Sequence, residues 1–216
     1  MKTAILFGAS GLVGSHLLTE LLNNPEYTRV TVVVRKPLPM EHAKLQQLVG
    51  DYHALPSLKK EIQADEIFIA LGTTRKNTPD QTEYYRVDHD YPVLAASLAK
   101  ENGAQSVLLV SAVGANPKSN LFYVRTKGKV EEDIIGLGFE HTYIFQPSML
   151  MGNRLEHRPM EQFLIGAFRV LNPLLVGGWK KYRGIWVADL AKAMIAAAND
   201  TRVKVKRYCW EDISKK

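Results

Sequence analysis

The chain has 216 residues, 46% of them hydrophobic, enough for one domain with a sizeable core or a domain with a small appendage. Its formal net charge of +6 is scattered, with no long Lys/Arg run; it suits a small acidic ligand such as a phosphate and argues against a nucleic-acid-binding surface. One cysteine, Cys209, and six histidines with no HxxxH pair exclude an internal disulfide or a cysteine metal cluster and argue against any metal site.

The stretch Thr3 to Leu18 organises the rest. An apolar run ends at Gly8, glycines recur at Gly11 and Gly14, and a helical apolar pattern begins at Leu12. Strand, tight glycine turn and helix in that order form a phosphate cradle. Gly8 allows the turn, Gly11 allows close approach of a pyrophosphate, and Gly14 allows helix and strand to pack, while the helix N-terminus supplies partial positive charge. The spacing is GxxGxxG rather than GxGxxG, so the strand before and the helix after carry the reading.

A β-branched run, Val30–Val34, is expected to form a buried parallel strand ending at Arg35-Lys36-Pro37. The residue that meets the adenosine ribose usually lies about 20 positions past the glycine turn. Arg35 is 21 past Gly14, with no acid before Glu41. An acid there favours NAD, whereas an arginine pairs with a 2′-phosphate, so NADP is expected, NADPH over NADH; the other reading is a solvated strand-end charge. Leu45–Val49 is expected as a third strand, followed by Asp51, which either accepts from an adenine amino group or caps the next turn. A short helix is expected over 55–63 and a fourth strand over Glu66–Leu71, stopping at Gly72-Thr73-Thr74-Arg75. Residues 76–82 form a polar loop, either a flap over the site or an ordinary surface loop.

Further on, Val87–Ala99 has the spacing of a helix, with Pro92 in its first turn. Gln105–Val110 forms a strand ending at Ser111, Leu121–Ile135 a helix, and His141–Phe145 a strand ending at Gln146-Pro147-Ser148. Beyond lie an expected helix over 158–171, a turn at Gly177, a short strand at Gly184–Val187, a helix over Asp189–Ala198 and a last strand over Val203–Cys209 with Lys204, Lys206 and Arg207 on its exposed face. No linker or repeat divides residues 1–216. Alternating strands and helices specify an α/β, Rossmann-type, doubly wound parallel sheet with helices on both faces and a small C-terminal substrate-side elaboration over about 148–185.

Ser111 ends a strand at the ligand edge, and Tyr123 and Lys127, four apart, share a helix face. An ammonium near a phenol lowers the phenol's pKa, fitting Tyr123 for proton transfer near neutral pH, with the Ser111 hydroxyl bonding the substrate oxygen. Beside a nicotinamide this makes a hydride-transfer site for a carbonyl or an alcohol. The first apolar run is too short for a signal-peptide core and no run of eighteen apolar residues could span a membrane, so the expected setting is cytoplasmic, with a small-molecule substrate and neither nucleic acid nor membrane as partner.

Gly8-Ala-Ser-Gly11, Leu71–Arg75, Val87–Tyr91, Tyr123–Glu131 and Gln146–Arg154 together resemble the short-chain dehydrogenase/reductases, in particular the atypical subgroup that includes the human Tat-interacting oxidoreductase and NmrA-like or epimerase-like proteins. The resemblance covers roughly residues 2 to 200. It implies NADP(H) binding through Ser10, Gly11, Leu12, Val13 and Arg35, contacts from Leu71, Gly72 and Thr73, a Tyr123/Lys127 pair, and contacts from the loop after Pro147 and from Arg154. It also implies a homodimer through the helices at 88–100 and 121–136. Two departures bear on the substrate: the chain is short after residue 150, and Ser148 stands where glycine often follows the proline. Relatives of this kind include dinucleotide-binding redox sensors, which is the alternative reading, and nucleotide-sugar epimerases, which are a sub-variant of the enzyme.

Overall fold

The computed structural model describes residues 1–152 and 175–214. The expected helix over 158–171 and Arg154 lie outside the described residues. β1 (Lys2–Phe7), β2 (Tyr27–Val34), β3 (Leu45–Val49), β4 (Glu66–Ile69), β5 (Ser106–Val110), β6 (His141–Phe145) and β9 (Val205–Tyr208) form one sheet in the order β3-β2-β1-β4-β5-β6-β9. Every pairing is parallel. This is the doubly wound, Rossmann-type arrangement. Its order reverses between β1 and β4, where ligands bind beyond the strand ends.

Strand residues alternate between the two faces. Ala4 and Leu6 of β1 pack with α1 (Leu12–Asn23) and α5 (Val187–Ala198). Ile5 and Phe7 pack with α3 (Tyr91–Glu101) and α4 (Phe122–Gly136). Both faces are therefore covered, and β1 and β4 need continuous apolar runs.

Three elements differ from expectation. Residues 55–63 hold no α-helix; 3-10 turns stand at Tyr52–Ala54 and Lys59–Glu61. Pro56 lacks an N–H and interrupts the run. The helix expected from Val87 begins six residues earlier as α2 (Gln81–Tyr85), where the Asp80 side chain accepts from the Glu83 N–H at 2.8 Å. It passes through a π turn at Arg86–Asp90 before α3. In this wider turn the Tyr91 N–H donates to the Arg86 carbonyl, and Pro92 follows in the first turn of α3, where its missing N–H is tolerated. Finally, β7 (Leu150–Met151) pairs with β8 (Ile185–Trp186) as a small second sheet, and a short α6 (Trp210–Ile213) follows β9.

Candidate active site

The turn after β1 is built by contact. Gly8 has φ +89°, and a Cβ there would lie 2.5 Å from the Ala70 carbonyl oxygen. A Cβ on Gly14 would lie 2.0 Å from the Gly8 oxygen. The Gly11 N–H donates to that same oxygen at 2.9 Å, closing the turn. The N-terminus of α1 has no side-chain cap and no acid in its first turn. Ser10, Gly11, Leu12 and Val13 line the cleft here, and the first-turn amides of the helix have no side-chain partner. An uncapped helix end under a backbone turn with no room for a side chain fits a dinucleotide pyrophosphate.

The cleft, about 600 Å³, runs from this turn across Leu71, Gly72 and Thr73 to Ser111, Tyr123 and Lys127. Ser15, Ala70, Thr74, Asn77, Asp88, Val110 and Leu150 complete its walls. The structure thus brings together ten of the residues singled out from sequence. Gly8 and Gly14 shape it from beneath.

Others sit apart from the cleft wall. Arg35 is exposed at the end of β2, and no ion pair holds it among the described residues. Its charge acts on Tyr52, whose hydroxyl burial raises to about 12 while Arg35 pulls it down. Tyr52 stacks on Tyr91 with centroids 4.3 Å apart. Asp51 accepts from the Ala54 N–H at 3.0 Å and so caps the turn, the second of its two readings. Pro147 is buried, its carbonyl accepting from the Val113 N–H at 2.9 Å, and Ser148 donates to the Arg183 carbonyl.

Tyr123 opens onto solvent, 45% exposed. Lys127, one turn on, is buried and faces Asp88, with Nζ 2.7 Å from Oδ1. The Thr73 N–H donates to the other Asp88 oxygen at 2.8 Å. Burial raises the Tyr123 phenol, Lys127 pulls it down, and Asp88 pushes it up. The net shift is upward, which corrects the expectation of a lowered pKa: burial is the largest cause, and the Asp88 carboxylate adds to it against the pull of Lys127.

Ser111 donates to Glu131 Oε1 at 2.5 Å. Glu131, 2% exposed, also accepts from Gln146 Nε2 at 2.8 Å and from Arg207 Nε at 2.9 Å. Arg207 is therefore not simply part of a solvated strand face. With its proton given to Glu131, Ser111 has only acceptor capacity left for a ligand.

Asp88 and Glu131 carry roles that sequence reasoning missed. Both left a signal. Asp88 falls on the apolar side of its helix, at i−3 and i−7 from Tyr91 and Ala95, and Glu131 extends the Tyr123/Lys127 stripe by one more turn. A charged residue on a buried face calls for a partner.

Among the described residues no group of His, Cys, Asp or Glu could hold a metal, and no helix is long and apolar enough to cross a membrane.

Residues 8–162 match a family model described as NAD(P)H-binding. The mitochondrial protein fmp52 of Emericella nidulans is 36% identical over 209 residues, covering 92% of this chain and 90% of that protein. FMP52 of Candida glabrata, also named as mitochondrial, is 38% identical over 157 residues, covering 72% of this chain and 67% of that one. Among solved structures, MoeE5 in complex with UDP-glucose and NAD superposes with a TM-score of 0.72 at 19% identity, over 96% of this chain and 76% of that one. WbmH of Bordetella bronchiseptica, in complex with NAD+, gives 0.71 at 17% identity, over 97% and 75%. At these identities the structures show likeness of fold. The fungal relatives overturn the cytoplasmic expectation, since they are named as mitochondrial proteins. The uncapped helix end and its glycine turn lie where a dinucleotide-binding sheet requires them, and by the extent of the sequence match this chain belongs to the NAD(P)H-binding family.

Proposed function

We propose that the chain is an NADP(H)-dependent oxidoreductase of the atypical short-chain dehydrogenase/reductase kind, interconverting a carbonyl and an alcohol. One observation carries this reading: Tyr123 and Lys127 line the same cleft as the amide cradle at Ser10–Val13. The bound nicotinamide supplies or accepts the hydride. Tyr123 donates the proton to the carbonyl oxygen, or takes it from the alcohol. Its raised pKa keeps the phenol protonated at neutral pH, the form that reduction requires. Lys127, ion-paired with Asp88, holds the ribose hydroxyls. Ser111 accepts a hydrogen bond from a substrate hydroxyl rather than polarising a carbonyl. Arg35, with no acid beside it, favours the 2′-phosphate and hence NADP.

The substrate remains a small carbonyl or alcohol. Solved neighbours bound to sugar nucleotides support an epimerase sub-variant acting through transient oxidation. A second reading, a dinucleotide-binding sensor, draws on the engagement of Ser111 with Glu131 and of Lys127 with Asp88. Tyr123→Phe separates the two. The oxidoreductase reading expects unchanged NADPH binding by calorimetry and turnover of a panel of aldehydes and ketones reduced about 100-fold or more. Undiminished turnover would refute the assigned mechanism.

A further inference from the structure

We propose that Asp88 governs the proton affinity of Tyr123, by holding the Lys127 ammonium in a neutral pair instead of leaving it as a free charge beside the phenol. The inference rests on the reading of Tyr123 as the proton-transfer group.

The geometry is specific. Asp88 and Lys127 have side chains 1% and 7% exposed, and their charged atoms lie 2.7 Å apart. The second Asp88 oxygen is fixed by the Thr73 N–H, so the carboxylate is held from two sides. The π turn brings it to the cleft, where Gly72 lies against the pair: a Cβ there would lie 3.5 Å from Asp88 Oδ1 and 3.7 Å from Lys127 Nζ. The groups facing the phenol are Lys127 from α4, Asp88 from the π turn and Tyr84 from α2. Tyr84 donates to the Thr73 carbonyl at 3.2 Å and feels Arg75 in turn. His89, next to Asp88, is taken up elsewhere, its ring nitrogens meeting Asp90 and Asp133.

A lone ammonium within about 4–6 Å lowers an acidic group by about 1–3 pKa units. Pairing with a carboxylate cancels most of that field. Asp88 is thus a positioning residue: it lines the cleft beside Lys127 and acts on the phenol through it. Its effect is to hold the Tyr123 phenol higher than an unpaired ammonium beside it would.

The test is the titration of Tyr123 itself. In full-length protein with ¹³C-labelled tyrosine, comparison with Tyr123→Phe assigns its resonance, with and without NADPH. Asp88→Asn is expected to lower the phenol pKa by about one unit or more, as the ammonium becomes unpaired. Asp88→Glu, which restores the carboxylate, is expected to return it toward wild type. A purely structural role would reduce stability without moving this titration. An unchanged or higher value in Asp88→Asn would overturn the inference. Should Asp88→Asn fail to fold, a crystal structure of the wild type with NADPH decides. Lys127 Nζ within hydrogen-bond distance of Asp88 supports the pair, and a Lys127 that has left Asp88 for the ribose overturns it. The titration needs no turnover, so its failure is distinguishable from failure of the oxidoreductase reading, which Tyr123→Phe kinetics address.

Discussion

Replacement of Gly14 by alanine tests the phosphate cradle at its tightest point. The added Cβ would lie 2.0 Å from the Gly8 oxygen, 2.6 Å from the Gly8 carbonyl carbon and 3.0 Å from Ala9 Cα. Ordinary contact begins at 3.4 Å, so the shortfall at the oxygen is 3.4 − 2.0, about 1.4 Å. All three neighbours are backbone, so no rotamer change relieves the clash. The start of α1 must move off the end of β1 and carry its amides with it. Useful N–H···O bonds span only about 2.7–3.2 Å, so a displacement of that size breaks a contact to phosphate. One hydrogen bond to a charged group contributes about 1.5–3 kcal/mol, so the Kd for NADPH is expected to rise about 10- to 150-fold. Overpacking itself costs about 1–3 kcal/mol, or a Tm lower by about 2–12 °C. Calorimetric titration with NADPH, at a temperature where circular dichroism shows the variant folded, gives the answer. A folded variant whose Kd lies within about twofold of wild type would refute the reasoning.

Other substitutions probe separate parts of the account. Arg35→Ala should weaken NADPH binding about 10- to 100-fold and leave NADH unchanged, since only the 2′-phosphate contact is lost; equal effects on both cofactors would remove the basis for NADP preference. Gly128→Ala puts a Cβ 2.1 Å from the Pro117 nitrogen and 2.2 Å from the Asn116 carbonyl carbon, lifting the loop that precedes α4. Differential scanning calorimetry should show Tm lower by about 2–12 °C, and an unchanged Tm would contradict the packing described. At the opposite end of the sheet, burial holds the Glu66 carboxyl above the ordinary glutamate range, against the pull of Lys2 and the Tyr27 hydroxyl. Its folded pKa is the higher one, so the unfolded chain loses this proton first, and the contribution to stability falls as pH rises from the ordinary value through the raised one. Urea denaturation should show the stability of wild type relative to Glu66→Gln decreasing as pH rises from about 4, and a pH-independent difference would contradict it.

The sheet was legible because its central strands are buried on both faces and read as short apolar runs, such as Val30–Val34 and Ser106–Val110. The glycine turn was legible because backbone approach leaves no room for any other residue at Gly8 or Gly14. The π turn was not, because one widened turn leaves no mark in the apolar periodicity of the helix. Residues 55–63 misled for a related reason: Leu55, Leu58 and Ile62 have helical spacing, but Pro56 breaks the hydrogen bonding. In the site, Tyr123 and Lys127 were found from a four-residue spacing. Asp88 and Glu131 were not, because their partners come from other elements, and only the fold shows that Lys127 and Ser111 are already engaged. That engagement changes the chemistry assigned to both: Asp88 adds to the burial that raises the Tyr123 phenol, and Ser111 is left as an acceptor.

A crystal structure of the protein with NADPH tests the central claim most directly. The account predicts the pyrophosphate at the amides of Ser10–Val13, the 2′-phosphate beside Arg35 and the nicotinamide against Tyr123 and Lys127. A dinucleotide bound outside this cleft, or one whose nicotinamide lies away from Tyr123, would contradict it.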